Sequence, residues 1–424
     1  MPAWISRPLT LADAINLALQ QNGAIQRGKS DLEAQYGVVV QTRAIVVPKV
    51  SANGQYEYTT EVESIPFPGF SPINHTWDGN IQIVQSIYQG GQISSSLRSA
   101  NLTKDQALLN YQTIIADNLL QVRIAYYDVL QAAEQVIVEQ ASVKLLGQQF
   151  DDQQRRFNAG TVPRFNVLQA DVAVANERPR LIQARNTHRI AKNNLVNLLG
   201  YRLPTGVLED VPMELSDKLD SDPYQIDLPV AIAKALQNRS EIASLQKQEA
   251  LRKEGVIGAD SNYKPSVQLL AGYGARNSTF ITSYPGDVVH GLTAGAQVSW
   301  NIFDGFLTKG KVQQAKALYQ GSQVDVDNEV RSIELEVRTD YSNFIEASET
   351  LESQKKVQEE AEEALRLATA RNDAGTGTQL DVLSAETSLT QARSTQIQAL
   401  HDYDVARARL ERAIGENIMQ TTQK

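Results

Sequence analysis

Hydrophobic positions along this chain change their period several times, and each change marks an element. Across 9–47, apolar side chains such as Ala14, Leu17, Ala18, Val38 and Val39 fall at helical spacing, which predicts one helix of roughly 40 residues. Thr10 and Asp13 have the Ser/Thr-x-x-Asp/Glu spacing of a helix start, and Pro48 ends the run. The period then becomes two. Val50, Ala52, Gly54, Tyr56 and Tyr58 alternate with Ser51, Asn53, Gln55 and Glu57, predicting a strand over about 48–60. A turn-like stretch with Pro66, Pro68, Gly69 and Pro72 leads to a second extended run over about 77–88. A third and a fourth strand are expected over about 265–277 and 290–303. In the last of these Leu292, Ala294, Ala296, Val298, Trp300 and Ile302 alternate with polar or small neighbours. Its length matches the roughly 9–11 residues that cross a bilayer at a tilt.

Each pair of strands is followed by a much longer helical pattern, over 91–159 and 307–374, with no Pro in either. Val330, Ile333, Val337, Tyr341, Phe344 and Leu351 recur at steps of three and four, as on a coiled-coil face. At about 1.5 Å per residue such a helix reaches roughly 100 Å. Each long helix stops at a tight reversal, Asn158-Ala-Gly-Thr-Val-Pro163 or Asn372-Asp-Ala-Gly-Thr-Gly377. The chain then returns as a helix of roughly 35–40 residues to Leu199-Gly200 or Ile414-Gly415, the Gly suiting a C-cap.

These elements are one unit written twice. Leu11-Ala-Asp-Ala-Ile-Asn-Leu-Ala-Leu-Gln-Gln-Asn22 parallels Leu228-Pro-Val-Ala-Ile-Ala-Lys-Ala-Leu-Gln-Asn-Arg239. From His75 and His290 onward the spacing is constant (290 − 75 = 215), pairing Gly90 with Gly305, Arg123 with Arg338, Tyr126 with Tyr341 and Gly200 with Gly415. Repeat 1 spans 9–200 and repeat 2 spans 228–415, with a polar linker at 203–227 that reads as packing on the outside of the fold. The two copies share one order of elements and no composition boundary, so they read as a single interleaved domain over 1–424.

A soluble hairpin and a coiled-coil scaffold without transport activity are the competing readings of the strands and helices taken separately. Strands set between helices of roughly 40 and 70 residues favour a membrane sheet, since average helices run about 11–12 residues. Four strands cannot close a barrel, and open edges are not tolerated in lipid. Eight strands from two chains would be filled by side chains, whereas twelve from three chains leave a lumen.

The strand-to-helix passages Ser86-Ile-Tyr-Gln-Gly-Gly-Gln92 and Trp300-Asn-Ile-Phe-Asp-Gly-Phe306 resemble the barrel exits of TolC-like outer-membrane efflux proteins. The tips, Ala-Gly-Thr followed by Val167-Leu168-Gln-Ala-Asp171 or Asp381-Val-Leu-Ser-Ala-Glu386, resemble that family's helical-hairpin ends. The likeness runs from Leu9 to about Gly415 in the family's order. It implies a mainly α fold with membrane β-strands, a trimeric 12-strand barrel with four strands per chain on a long α-helical coiled-coil tunnel. It further implies a passive gated conduit of a tripartite efflux or type I secretion system. The expected partners are two further copies, outer-membrane lipid, a periplasmic adaptor (membrane fusion protein) and an inner-membrane pump.

By the same resemblance Asp381 stands at the family's periplasmic gate, with Ser384 where a second acid often sits and Asn166 in the matching place of repeat 1. Thr378 with Asp381 is also a capping box, and the two roles are compatible. Gly160, Thr161, Gly375 and Thr376 mark the tips, where turn chemistry is required and where the family meets its adaptor. Leu292, Val298, Trp300 and Ile302 are the residues expected to face lipid. His75 and His290 lack neighbouring ligands at zinc-like spacing and read as interfacial polar residues, while Arg123, Arg338, Tyr126 and Tyr341 read as inter-helix contacts.

Composition narrows this further. A net charge of −9 without a basic stripe argues against nucleic acid as a partner. Mean hydropathy is −0.32 and no apolar run approaches the roughly 20 residues of a spanning helix, so any crossing must use strands. With no Cys there is no disulfide, thiolate metal site or thiol nucleophile. The start Met1-Pro2-Ala3-Trp4 shows no secretory signal, so either a cytoplasmic protein or a mature or trimmed chain is expected, and the strands favour the second. No hydrolase, P-loop or dinucleotide motif is complete, so neither an enzyme nor a cofactor is expected.

Overall fold

The computed structural model describes residues 7–59, 75–203, 210–219, 221–277 and 288–416. The Pro-rich turn expected at 66–72 and the first four residues lie outside these. Repeat 1 holds α1 (Leu11–Gln21), α2 (Gly23–Arg43), β1 (Lys49–Tyr58), β2 (His75–Gln89), α3 (Gln92–Asn158) and α4 (Arg164–Leu198). Repeat 2 holds α5 (Leu228–Asn238), α6 (Ser240–Asp260), β3 (Ser266–Asn277), β4 (Val288–Ser299), α7 (Leu307–Asp373) and α8 (Gln379–Ala413). The chain forms two compact units that interleave the repeats, one of 31–109 and 243–328 and another of the remainder.

The unit of 31–109 and 243–328 contains the sheet, in the order β1-β2-β3-β4 and antiparallel throughout. Register runs without a slip from Lys49↔Val84 to Tyr58↔His75 and from Ser266↔Ser299 to Asn277↔Val288. Between β2 and β3 the register shifts once, between Ser86 and Tyr88. β4 ends at Ser299, four residues short of the expected 303, so Trp300 and Ile302 lie beyond the ladder. The reason is that β3 begins at Ser266, immediately after Pro265, which has no N–H to give. Trp300 instead donates its indole N–H to the Tyr263 carbonyl at 3.0 Å. Strand-to-helix turns demand left-handed backbone at Gly90 and Gly305. A Cβ on Gly90 would stand 2.4 Å from the Ser261 carbonyl oxygen.

In the other unit the helix expected over 9–47 is broken at Asn22. Its backbone is extended at ψ 126°, and its side-chain oxygen accepts from the N–H groups of Ala24 and Ile25 at 2.8 and 3.1 Å. One residue thus ends α1 and caps α2. The Asn22 amide also donates to the Leu198 carbonyl at 2.6 Å, tying the junction to the end of α4. Repeat 2 solves the same problem with other chemistry: Arg239 breaks α5 from α6 and donates to the Ala413 carbonyl at the end of α8. Both return helices then finish in the same motif. Tyr201 N–H reaches Val196 O while Gly200 N–H reaches Asn197 O, and Glu416 and Gly415 repeat this on Glu411 and Arg412.

Two apolar clusters form around these junctions. Leu9, Ala14 and Ala18 pack with Val122, Tyr126, Val129, Leu195 and Leu199 in one. Ala231 and Ala235 pack with Ile333, Val337, Phe344, Leu351 and Leu410 in the other, which is the stripe read from the sequence. The linker is more than an outer wrap: Val211 and Met213 are buried in the first cluster, and Leu9 N–H donates to Glu214 O at 2.8 Å. Arg123 is buried against Glu411, with Tyr127 and Arg407 completing the network, whereas its repeat counterpart Arg338 is exposed.

α8 meets α3 along a seam of side-chain hydrogen bonds. Gln153 binds Gln379 at 2.9 Å, Gln149 binds Glu386 at 2.8 Å, Ser142 meets Thr390 at 3.3 Å and Gln135 binds Ser394 at 2.8 Å. Glu386 is buried and one of its oxygens has no hydrogen-bond partner among the described residues. Burial pushes its pKa up to about 7, and the nearby Glu177 carboxylate adds to the rise.

Two expected outcomes follow from this packing. A Cβ on Gly200 would sit 2.0 Å from the Gln21 carbonyl oxygen at a φ of +74°, while Gly147 in the middle of α3 has nothing within 4 Å. Gly200→Ala should therefore destabilise by at least about 1–2 kcal/mol and Gly147→Ala should stabilise by about 0.5–1 kcal/mol, read by denaturant unfolding. For Glu386 the folded-state pKa exceeds the unfolded one, so its contribution to stability is full below the ordinary carboxylate range and is lost as pH rises towards about 7. Melting across that window should show a decline that Glu386→Gln flattens.

Candidate functional site

The sheet sorts its side chains by chemistry. Partners across a ladder share a face, and most such sets along the four strands keep the same character. Val50, Ala52, Ile81, Ile83, Leu269, Ala271, Ala294 and Val298 fall on one face, which the registers Val50↔Ile83↔Ala271↔Ala294 carry across all four strands. Asn53, Gln55, Asp78, Asn80, Gln82, Gln268, Arg276 and Gln297 fall on the other, with Asn53 donating to Asn80 at 3.2 Å. Val84, Leu270 and Val289 are the apolar exceptions on that polar face. Leu292, Val298, Trp300 and Ile302 are all exposed, and β1 and β4 are exposed along their whole length.

Aromatic rings bracket the apolar band. Tyr56 pairs with Trp77 and Tyr58 with His75 at one end, while Tyr88 and Trp300 stand at the other. β4 runs from Val288 to Ser299, eleven steps or ~36 Å of strand, long enough for the roughly 25 Å apolar band of a bilayer-spanning barrel at a tilt. His290 accepts from or donates to the Tyr273 hydroxyl at 2.8 Å, and no group of three metal-ligating side chains occurs among the described residues. None of the helices described is long and apolar enough to cross a membrane.

The second candidate region lies in the other unit. Gly160 and Gly375 adopt φ of 76° and 74°, closing α3 and α7 in the same way. Thr161 N–H reaches Arg156 O and Thr376 N–H reaches Arg371 O, and both threonine hydroxyls donate to the same carbonyls at 2.8 and 3.2 Å. Gly160, Thr161, Gly375 and Thr376 are therefore the turn residues that the sequence required. The two tips are neighbours, since Arg156 reaches Asp373 at 3.3 Å.

Beyond the turns the tips diverge. α8 opens on a full capping box: Asp381 N–H donates to the Thr378 hydroxyl at 3.2 Å, and the Asp381 carboxylate accepts from Thr378 N–H at 2.9 Å. That backbone bond holds the Asp381 carboxyl below its usual range, so it is ionised at neutral pH. Pro163 precedes α4 with no side-chain cap, and Asn166 lies half-buried in its first turn. Ser384 is exposed one turn after Asp381. The sequence did not single out the Asp78–Arg276 level of the polar face; cross-strand register, absent from any single segment, is what pairs them.

Comparison with known proteins places this geometry. The model of the family described as outer membrane efflux protein matches residues 14–201 and 231–416, one match for each repeat. The chain is 23% identical to outer membrane protein TolC of Escherichia coli over 97% of its own length and 83% of that protein. It is 25% identical to the cobalt-zinc-cadmium resistance protein CzcC of Cupriavidus metallidurans over 98% of its length and 92% of that protein. Among solved structures, CusC superposes with a TM-score of 0.81 at 15% identity, covering 96% of this chain and 92% of that one. Two family matches in the two halves of a duplicated helix-and-sheet chain settle the assignment: the chain belongs to the outer membrane efflux protein family.

Proposed function

We propose that this chain is one protomer of a passive, gated homotrimeric duct that crosses the outer membrane and continues into the periplasm. The observation that carries this reading is the four-stranded sheet itself, apolar on one face, polar on the other and unpaired at β1 and β4. The apolar face, including Leu292 and Val298, meets lipid, with Trp300 and Ile302 at its border. The polar face lines water, and three copies joined edge to edge supply twelve strands and a lumen. A soluble scaffold offers no cover for that apolar band.

In this reading the duct is passive and the energy for transport is supplied by its partners. The tips at Gly160, Thr161, Gly375 and Thr376 are the docking ends for a periplasmic adaptor that brings an inner-membrane pump. Asp381, repeated around a threefold axis beside Ser384 and Asn166, makes a cation-attracting constriction.

Protein expressed with a secretory signal should be extracted from the outer-membrane fraction as a detergent-soluble trimer and should conduct ions in a planar bilayer. Asp381→Asn should leave the mass unchanged while lowering preference for cations over anions. A water-soluble monomer or dimer without conductance would rule out the duct.

A further inference from the structure

Buried acids are usually paired with a cation, and one level of the contact between α3, α4 and α8 departs from that. Leu146, Val174 and Leu383, one from each helix, form an apolar cluster. Three residues further along α4 and α8 stand Glu177 and Glu386, and seven residues back along α3 stands Glu139, all at spacings that keep the same helix faces. They are 6%, 2% and 7% exposed, and each has a carboxylate oxygen without a hydrogen-bond partner among the described residues. Glu411, buried in the same unit, is by contrast held by Arg123 and Arg407. Glu139 and Glu177 lie within hydrogen-bond reach of each other. Two ionised carboxylates are both acceptors, so a shared proton is what makes that contact a bond.

The charged and polar groups around the three acids do not replace the missing cations. On α3, Gln135 donates to Glu139 at 2.7 Å and Gln149 donates to Glu386 at 2.8 Å, while Lys144 is exposed. On α4, Arg180 reaches Glu177 at 3.5 Å from an exposed position. On α8, Arg393 is engaged by Glu362 of α7 at 2.9 Å. Burial, reinforced by the facing Glu177, holds the Glu139 carboxyl above its usual range. The places 215 positions away hold Gln354, Ala392 and Asp171, so the three acids belong to this contact and not to the repeat unit.

We propose that Glu139, Glu177 and Glu386 form a proton-binding latch that holds α4 and the start of α8 against α3 when protonated and releases them when ionised. Two protons on three carboxyls leave one negative charge facing Arg180, and the Gln149–Glu386 and Gln153–Gln379 contacts stay closed. Loss of those protons leaves three like charges in a buried contact, which repel. The raised carboxyls set the sign: the latch is full in acid and is lost as pH rises past about 7. Glu386 lies five residues after Asp381 in a helix that begins at Gln379, so release frees the segment carrying Asp381 and Ser384. On the duct reading above, on which this last consequence rests, acid holds the tip closed and higher pH loosens it.

The chain has no Cys, so nitroxide labels at Gln140→Cys and Ser388→Cys, both exposed positions, report this contact without background. The shorter, within-chain distance should be narrow at about pH 6 and should lengthen and broaden at about pH 8. Replacing all three acids (Glu139→Gln, Glu177→Gln and Glu386→Gln) makes the level neutral and should keep the acid-state distance at both values. Glu386→Gln alone, a milder change, should weaken the response and keep its direction. The infrared carboxyl band of a buried protonated acid should disappear over the same range in the parent and be missing from the triple variant. A label distance indifferent to pH would overturn the latch, and a carboxyl band that does not titrate would overturn the proton site. Conductance in a planar bilayer should rise with pH in the parent and not in the triple variant. Conductance that stays flat while the labels move would overturn control of the tip. A particle that conducts at neither pH would remove the duct, with the label distances still deciding the latch.

Discussion

The backbone hydrogen-bonding groups along β1 and β4 are the constraint on which the rest depends. Each strand has one ladder satisfied by its neighbour in the sheet and one left open. In water such an edge is tolerable, but in hydrocarbon each unpaired group costs several kcal/mol. The side-chain pattern, apolar on one face from Val50 to Val298 and polar on the other, is what the proposed duct places between lipid and water. In that proposal, amphipathic faces and open edges together make closure by further copies the solution, and a lumen follows from strand number.

The helical unit carries the same duplication into a different kind of packing. α3, α4, α7 and α8 bury narrow stripes rather than a broad core, and their junctions are fixed by a few polar contacts of high specificity. Asn22 on Leu198 and Arg239 on Ala413 perform one task by different means, with Gly200 and Gly415 allowing the backbones to approach. Buried groups such as Arg123 with Glu411 add little net stability for their burial but strongly disfavour alternatives that would leave one of them unpaired. Long helices that pack through narrow stripes need that kind of specificity, because apolar stripes alone permit sliding by a turn.

Much of this was legible in the sequence because periodicity and local chemistry decide it. The spacing of 215, the Ile333–Val337–Phe344–Leu351 stripe, the Gly160 and Gly375 turns and the Thr378–Asp381 box all depend on nearby residues. What escaped depends on tertiary partners. The break at Asn22 needs the end of α4 to receive its side chain, and the early end of β4 is set by Pro265, just ahead of β3. Burial of Glu386 is invisible in a helix whose neighbouring residues are just as polar. Ile397 is 7% exposed and Ile182, 215 positions earlier, is 65% exposed, a difference that identical letters do not show.

The central claim is that β1 and β4 lose their open edges in the membrane, and amide hydrogen exchange of the protein in lipid vesicles tests it most directly. Closure predicts that amides along β1 and β4 are protected to the same degree as those of β2 and β3. Fast exchange on the outer ladders of β1 and β4, with β2 and β3 protected, would mean an open sheet and would contradict the account.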